Sequence, residues 1–314
     1  MFESLSQLIT YNLFQLQPES TFGMAAEFWI YSVIKILTLV FIVVSLIAFV
    51  RTYVHPDKTR ALLAKMPFGV SNLIASLFGA LSPFCSCSSI PLFIGFLQAR
   101  MPAGVAFSFL ITSPLVNEVA FVIMGGYFGW KIAIYYALAG IMLGVVGGII
   151  IQMLGLEKEL IYENKEGQKL SDNMPTVFKK RVSYAVFQGY KVFKSLLPYV
   201  LGGITIGAFV HGYVPQEWFT NTLGKYEVLS VPIATIIGIP IYAGCSMIAP
   251  IVFSITANGV PLGTSLALMM SISGLSLPEA IILKRTMTTK MLAIFFSLVA
   301  VGIIIIGYLF NLIA

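Results

Sequence analysis

The stretch SPFCSCSSIP, residues 82–91, places two cysteines, four serines and two prolines in the middle of an apolar run. Prolines and small polar residues tend to end helices. The stretch therefore predicts a break in the backbone where the surrounding composition favours a continuous helix. A second stretch of the same kind, IPIYAGCSMIAP at residues 239–250, predicts a second break.

Composition defines the class of protein around these breaks. The 314 residues are 58% hydrophobic and 10% charged, and the mean hydropathy is +0.92. Soluble domains carry about 25% charged residues, so this chain has too few charges to cover a water-facing surface. We predict an all-α polytopic membrane protein, because helices satisfy their own backbone hydrogen bonds in lipid. The net charge of +6 lies in loops and indicates membrane topology rather than a nucleic-acid partner.

Short matches recur in the same order in the two halves of the chain. AFVRTYV (48–54) returns as AFVHGYV (208–214), CSSIP at Cys87 as CSMIAP at Cys245, MPAGVA (101–106) as VPLGTS (260–265), and Glu118 as Glu279. A spacing held at 158–161 residues predicts a duplicated unit. Duplicated halves with broken helices are typical of secondary transporters.

The apolar runs divide the chain into four parts. These are an N-terminal tail (1–27), a first transmembrane repeat (28–154), a hydrophilic linker (155–191) and a second transmembrane repeat (192–314). The predicted spans are 28–50, 103–125, 130–154, 192–214, 262–283 and 289–313, and the broken elements are 68–99 and 229–258. Each repeat is thus expected to hold three spans and one broken helix pair.

The distribution of basic residues predicts how the broken elements enter the membrane. If both turn back on the side they came from, sixteen of the 19 Lys and Arg residues lie on one side; if both cross, nine lie on each side. The positive-inside rule favours the first arrangement and places the linker in the cytoplasm. Three spans per repeat then make the second repeat inverted relative to the first, as in alternating-access carriers.

The broken stretches are candidate substrate sites, because irregular backbone at membrane depth occurs where it lines a cavity. The candidate substrate-binding residues are the thiols and hydroxyls of Cys85, Cys87, Cys245, Ser86, Ser88 and Ser246, with the aromatic rings of Phe84 and Tyr242 beside them. Thiolates select soft centres such as Cu(I), and trivalent arsenic belongs to the same class. Packing of small residues between helices is the alternative.

Two other chemical interpretations of the cysteines are less favoured. A disulfide between Cys85 and Cys87 would be strained at that spacing. No histidine lies near the cysteines in the sequence, so we expect no metal site of the zinc type. A cofactor motif is also absent from the sequence, and we expect no cofactor.

Glu118 and Glu279 are the only carboxylates within the predicted spans. Ionisable groups inside a membrane are costly and usually functional. We therefore expect them to couple transport to protons, with Glu118 the stronger candidate because Asn117 supplies a polar neighbour. The alternative is that each carboxylate caps a helix or reaches an interface.

Four segments carry a family resemblance. SPFCSCSSIPLFIG, LITSPLVNEVAF, AGCSMIAPIVF and SLPEAIILKR resemble the ArsP-type predicted permease family of bacterial inner membranes. The resemblance implies a multi-pass efflux permease, and family members export trivalent organoarsenicals with the help of cysteines. The family is usually drawn with eight spans, which the count of basic residues does not favour.

Together these features predict a secondary efflux permease of the bacterial inner membrane, and not an enzyme. Its predicted substrate is a small thiophilic solute, foremost a trivalent organoarsenical, moved by proton-coupled alternating access. The alternatives are a carrier of a soft metal ion or a sulfur compound, and an intramembrane thiol oxidoreductase. The partners expected are the solute and the lipid bilayer, without nucleic acid, and a homo-oligomer is left open.

Overall fold

The computed structural model describes residues 6–13, 20–51, 69–82, 86–98, 101–161, 178–213, 229–241, 245–284 and 286–313, together with positions 15, 17, 67 and 223. Nearly all of these residues are helical. The helices of the first half are α1 (Thr21–Arg51), α2 (Val70–Leu81), α3 (Ser86–Gln98), α4 (Ala103–Leu115), α5 (Glu118–Phe128) and α6 (Trp130–Met153). Those of the second half are α7 (Phe178–Tyr213), α8 (Ser230–Gly238), α9 (Cys245–Ala257), α10 (Leu262–Gly274), α11 (Leu277–Leu283) and α12 (Thr289–Ile313).

The described helices confirm the all-α fold class, and several are long and apolar enough to cross a membrane. Within the described part of the chain, these are Trp130–Met153, Leu262–Leu283 and Thr289–Ile313. The predicted span 103–125 is bent by 44° between Ala103–Leu115 and Ala120–Phe128 and would be a fourth. Helix α7 begins at Phe178, inside the stretch that the sequence assigns to the linker.

The order of helices is the same in the two halves. Helices α8 to α12 each begin 159 or 160 residues after α2 to α6, as with Ala103 and Leu262. Close contacts recur at the same spacing. Gly104 lies against the carbonyl of Gly148, and Gly263 lies against the carbonyl of Gly307. Because glycine has no Cβ, it lets two helix backbones approach this closely.

The two middle helices form the centre of the molecule. Every residue of α4 is buried, and so is every residue of α10 from Gly263 to Gly274. Helix α6 packs on α4, and α12 packs on α10. The outward side of α6 carries an apolar stripe at helical spacing, of which Met142 is 65% exposed. Such a stripe has the composition of a surface that faces lipid.

Helices α6 and α12, which are equivalent in the two halves, pack against each other in an antiparallel arrangement. Leu143 of α6 lies against Gly302 of α12, while Gly147 lies against Leu298. Residue numbers thus rise along α6 as they fall along α12. Leu143 and Gly302 also occupy equivalent positions, since α6 begins at 130 and α12 at 289.

Helices α1 and α7 pair in the same antiparallel way. The Trp29 Nε1–H donates to Thr205 Oγ1 at 3.0 Å near one end of the pair. Near the other end, Gly189 lies against Ser45. The two contacts join one half to the other along most of the length of these helices.

A short segment after α6 ties the two halves together at one end of the molecule. Leu160 forms an isolated antiparallel bridge with Met287, and the Thr288 N–H donates to the carbonyl of Glu159 at 2.9 Å. The Thr288 hydroxyl donates to the Glu159 carboxylate at 2.7 Å, and Lys290 Nζ lies 3.5 Å from it. The hydrogen bond from Thr288, aided by the charge of Lys290, holds the pKa of Glu159 below its ordinary value. The carboxylate therefore stays ionised, and the contact intact, at neutral pH.

Candidate functional site

The first broken element, 68–99, contains two helices that are each too short to cross a bilayer. Helix α2 has 12 residues and α3 has 13, so each is about 20 Å long at 1.5 Å per residue, against about 30 Å of hydrocarbon. Helix α2 runs parallel to α4. Asn72 near its start donates to the Ser108 hydroxyl at 3.0 Å, and Ser82 just beyond its end lies 3.4 Å from Ser113.

Helix α3 returns along α4 in the opposite direction. Ser89 near the start of α3 lies 2.7 Å from the hydroxyl of Ser113, and the ring of Phe96 near its end packs 5.1 Å from that of Phe109. The first residues of α2 and the last residues of α3 therefore lie near the beginning of α4. The break between them lies near the end of α4.

The second broken element, 229–258, is arranged in the same way around α10. Ser230 at the start of α8 lies 2.8 Å from Thr264, and Ser271 donates to the carbonyl of Thr235 further along. The turn from α9 into α10 repeats the turn from α3 into α4. The Val260 N–H donates to the carbonyl of Ile255, and the Met101 N–H donates in the same way to the carbonyl of Phe96.

Helices α4 and α10 are themselves interrupted beside these breaks. Val116 and Asn117 separate α4 from α5, and Leu275 and Ser276 separate α10 from α11. The Leu277 N–H donates to the carbonyl of Ile239 at 2.9 Å, which joins the second broken element to the interruption in its own half.

The two interruptions meet at the centre of the molecule. Leu115, the last residue of α4, lies against Gly274, the last residue of α10. Four interruptions of helical backbone, two from each half, are thus gathered in one region. Broken helices that meet between two repeats form the substrate sites of secondary transporters.

The structure places the backbone of five predicted substrate-binding residues at this region. Ser86, Cys87 and Ser88 open α3, while Cys245 and Ser246 open α9. The side chains of these five residues lie outside the description, as do Phe84, Cys85 and Tyr242 entirely. Two helix N-termini, which favour negative charge, therefore carry the cysteines Cys87 and Cys245.

The carboxylates differ sharply in their surroundings. Glu118 is exposed, whereas Glu279 is 2% exposed. Asn117 acts as the N-cap of α5, because its side chain accepts a hydrogen bond from the Ala120 N–H at 2.8 Å.

The structural register corrects two matches made on the sequence. Helix α3 begins at Ser86 and α9 at Cys245, so Cys245 corresponds to Ser86, and the match of Cys87 with Cys245 is off by one residue. Helix α5 begins at Glu118 and α11 at Leu277, so Glu118 corresponds to Leu277 and Glu279 corresponds to Ala120. The sequence match of Glu118 with Glu279 is off by two residues. Asn117 instead corresponds to Ser276, and both are polar N-cap residues.

Two buried serines at the site were not singled out from the sequence. Ser113 is fully buried, and its hydroxyl contacts serines on both sides of the first break. Ser276 is 1% exposed, and its hydroxyl has no hydrogen-bond partner among the described residues. The sequence signal that could have found them is a nearby proline: Ser113 directly precedes Pro114, and Ser276 lies two residues before Pro278.

Broken helices enclosed within a bundle of apolar helices are typical of secondary transporters of the membrane. A family model described as a predicted permease matches residues 21–312. The chain therefore belongs to the ArsP-type predicted permease family, as the sequence segments indicated.

Individual relatives are distant. UPF0718 protein MJ0584 of Methanocaldococcus jannaschii is 19% identical over 79% of this chain and 83% of its own length. UPF0718 protein YraQ of Escherichia coli is 24% identical over 75% of this chain and 66% of its own length. A Streptococcus mutans protein named "Putative two-component membrane permease complex subunit" is 22% identical over 60% of this chain and 63% of its own length. No solved structure matches the chain.

Proposed function

We propose that the protein is a secondary efflux permease that exports a small thiophilic solute, foremost a trivalent organoarsenical, by proton-coupled alternating access. The observation that carries the proposal is the meeting of four helix interruptions, with Cys87 and Cys245 on the two helices that begin there. The site lies between two halves of matching helix order, where alternating-access carriers bind their substrates.

Inversion of the two repeats is supported by the directions of matching helices. A two-fold axis parallel to membrane-spanning helices would relate helices that run the same way. Helices α6 and α12 run in opposite directions, and Leu143 meets its own counterpart Gly302. These contacts favour an axis that lies in the membrane plane, which is the inverted arrangement.

Re-entry of both broken elements is supported by the contact between Leu160 and Met287. With re-entry, the chain has crossed three times before Leu160 and five times before Met287, so the two residues lie on one side. If both elements crossed, the counts would be four and seven, and the residues would lie on opposite sides. The positive-inside rule assigns the shared side to the cytoplasm, in a multi-pass protein of the bacterial inner membrane.

The substrate class follows from the cysteines. A monosubstituted trivalent arsenical has two exchangeable positions, so two thiols suffice to hold it, and thiolates prefer such soft centres. Binding by few thiols also permits release, which export requires. A soft metal ion or a sulfur compound is the alternative substrate, and thiol redox chemistry without transport is the alternative activity.

Glu279 is the better supported coupling group of the two carboxylates. A carboxyl group that is 2% exposed at membrane depth changes its charge only when the site around it changes. Glu118 is exposed and opens a helix whose first turn favours a negative charge.

Uptake into everted membrane vesicles tests the proposal. Methylarsenite, an aryl arsenite, Cu(I) and a thiol compound would be compared, and arsenicals should accumulate only with the intact protein. We expect Cys87→Ser and Cys245→Ser to abolish uptake of the arsenicals while the protein remains folded, with Cys85→Ser weaker. Full uptake by the triple Ser variant would show that the thiols only pack, and turnover of a thiol without uptake would support the oxidoreductase.

The oligomeric state can be measured in the same preparation. The exposed apolar stripe on α6 is available to lipid, to a second copy or to a different subunit, and the Streptococcus mutans relative is named as a complex subunit. Mass measurement of the purified protein in detergent would distinguish these arrangements.

A further inference from the structure

Two pairs of half-helices connect the central interruptions to the two ends of the molecule. Helix α3 contacts α11, and helix α5 contacts α9. In each pair one helix comes from each half, and both helices begin at the interruptions. If the protein is the permease proposed above, α3 and α11 line the path to one end, and α5 and α9 line the path to the other.

Aromatic rings join the two halves across the second of these paths. Phe253 of α9 stacks on Tyr127 of α5, with ring centroids 4.8 Å apart and an angle of 29°. The ring of Phe128 meets that of Phe253 edge-on at 5.7 Å and 69°. Stacked and edge-on rings attract each other in these geometries. The contact is therefore a specific one between the halves.

Two of these three rings are partly exposed, and Phe128 also packs against the core. Tyr127 is 41% exposed and Phe253 is 39% exposed, whereas most residues nearer the centre are buried. The stacked pair of Tyr127 and Phe253 therefore lies at the edge of the packed core and not within it. Trp130 nearby is 57% exposed and packs on Phe121 within its own half, as a residue that anchors the helices at the membrane surface would.

The equivalent positions at the other end lack this contact. By the spacing of the helix starts, Phe253 corresponds to Ile94 and Tyr127 corresponds to Thr286. Neither residue has a ring, and the Thr286 carbonyl instead accepts a hydrogen bond from the Ile161 N–H at 3.0 Å. The aromatic contact is therefore a feature of one path and not a consequence of the duplication.

We propose that Phe253, held between Tyr127 and Phe128, is the gate of the path through which the solute is released. Phe253 follows Cys245 by eight residues on α9, which is about 12 Å along the helix axis. In the closed position the rings join α5 to α9 between the binding region and the periplasmic end. Release requires Phe253 to leave Tyr127, and rebinding of the rings closes the path again.

Labelling of Cys245 by a membrane-impermeant maleimide tests the gate without any transported substrate. In a Cys85→Ser, Cys87→Ser background, Cys245 is the single thiol. We expect Phe253→Ala and Tyr127→Leu to speed labelling of Cys245 several-fold in spheroplasts, where the reagent reaches the periplasmic face. Phe253→Tyr keeps the ring and should keep the slow rate. Ile94→Ala, at the equivalent position in α3, is the matched control and should leave the rate in spheroplasts unchanged.

Unchanged labelling in both Phe253→Ala and Tyr127→Leu would overturn the gate, provided that both variants unfold at the temperature of the parent. Phe253→Leu, which retains volume, replaces Phe253→Ala if the smaller residue destabilises the protein. Faster labelling confined to everted vesicles would uphold the gate and overturn the proposed orientation. The assignment of arsenicals as substrates does not affect any of these outcomes, so its failure would be distinguished by the uptake assay alone.

Discussion

Burial separates two glutamates that look alike in the sequence. Glu118 and Glu279 each lie in the first turn of a short helix, but Glu118 is exposed and Glu279 is 2% exposed. A charge at the buried position carries a large cost of desolvation unless the surroundings change with it. We therefore propose Glu279 as the proton-coupling group, although the sequence favoured Glu118 because of Asn117.

Replacement of each carboxylate by its amide tests this distinction. Glu279→Gln keeps the size and removes the ionisation, so we expect accumulation in vesicles to fall to the level seen without a proton gradient. Glu118→Gln is the matched control, and its response to the gradient should stay within about twofold of the parent, as expected for an exposed surface substitution. A normal response in both variants, or a loss in Glu118→Gln alone, would contradict the assignment.

Close contacts between helices hold each half together at the level of elements. Gly263 lies against the carbonyl of Gly307, and Gly104 lies against that of Gly148. Backbone atoms cannot move aside as the end of a flexible side chain does. The α4–α6 and α10–α12 pairs are therefore the places where helix backbones pack most tightly within each half.

Alanine substitution at these glycines tests the close packing of the two helix pairs. We expect Gly263→Ala to lower stability by about 2–4 kcal/mol, because the added methyl forces the two backbones apart. Gly126→Ala is the control, since Gly126 is helical and has no atom within 4 Å of the added Cβ. Its stability should rise by about 0.5–1 kcal/mol from the higher helix propensity of alanine. Thermal unfolding in detergent measures both, and equal effects would show that α10 and α12 are not in close contact.

The arrangement of the whole molecule depends on which residues share a side of the membrane. The bridge between Leu160 and Met287 brings the segment after α6 next to the segment between α11 and α12. Lys131 lies at the opposite end of α6 from Leu160. The three crossings per half that we propose are consistent with both relations, whereas eight crossings would place Leu160 and Met287 on opposite sides.

Single cysteines placed at exposed lysines test this arrangement. In a background without native cysteines, Lys158→Cys and Lys284→Cys should both be labelled by an impermeant reagent in everted vesicles and protected in spheroplasts. Lys131→Cys should show the reverse pattern. Labelling of Lys158→Cys and Lys284→Cys from opposite sides would establish full crossing of a broken element and contradict the inverted arrangement.

The sequence by itself determined the class of the protein and the positions of two of the four helix interruptions, those within 82–91 and 239–250. Prolines and small polar residues end helices through their local effect on the backbone. The scarcity of charge is a property of the composition. Neither signal depends on how the chain folds. Four short matches also sufficed to indicate the duplication, because the spacing was held over a whole half of the chain.

Only the tertiary structure decided which side chains at the interruptions are buried and which helices meet there. The burial of Glu279, the contacts of Ser113 with Ser82 and Ser89, and the stack of Phe253 on Tyr127 all depend on elements distant in the sequence. A displacement of two residues turns a helical side chain by about 200° at 3.6 residues per turn. Local similarity could therefore match Glu118 with Glu279 while the packing of the helices places one at the surface and the other in the core.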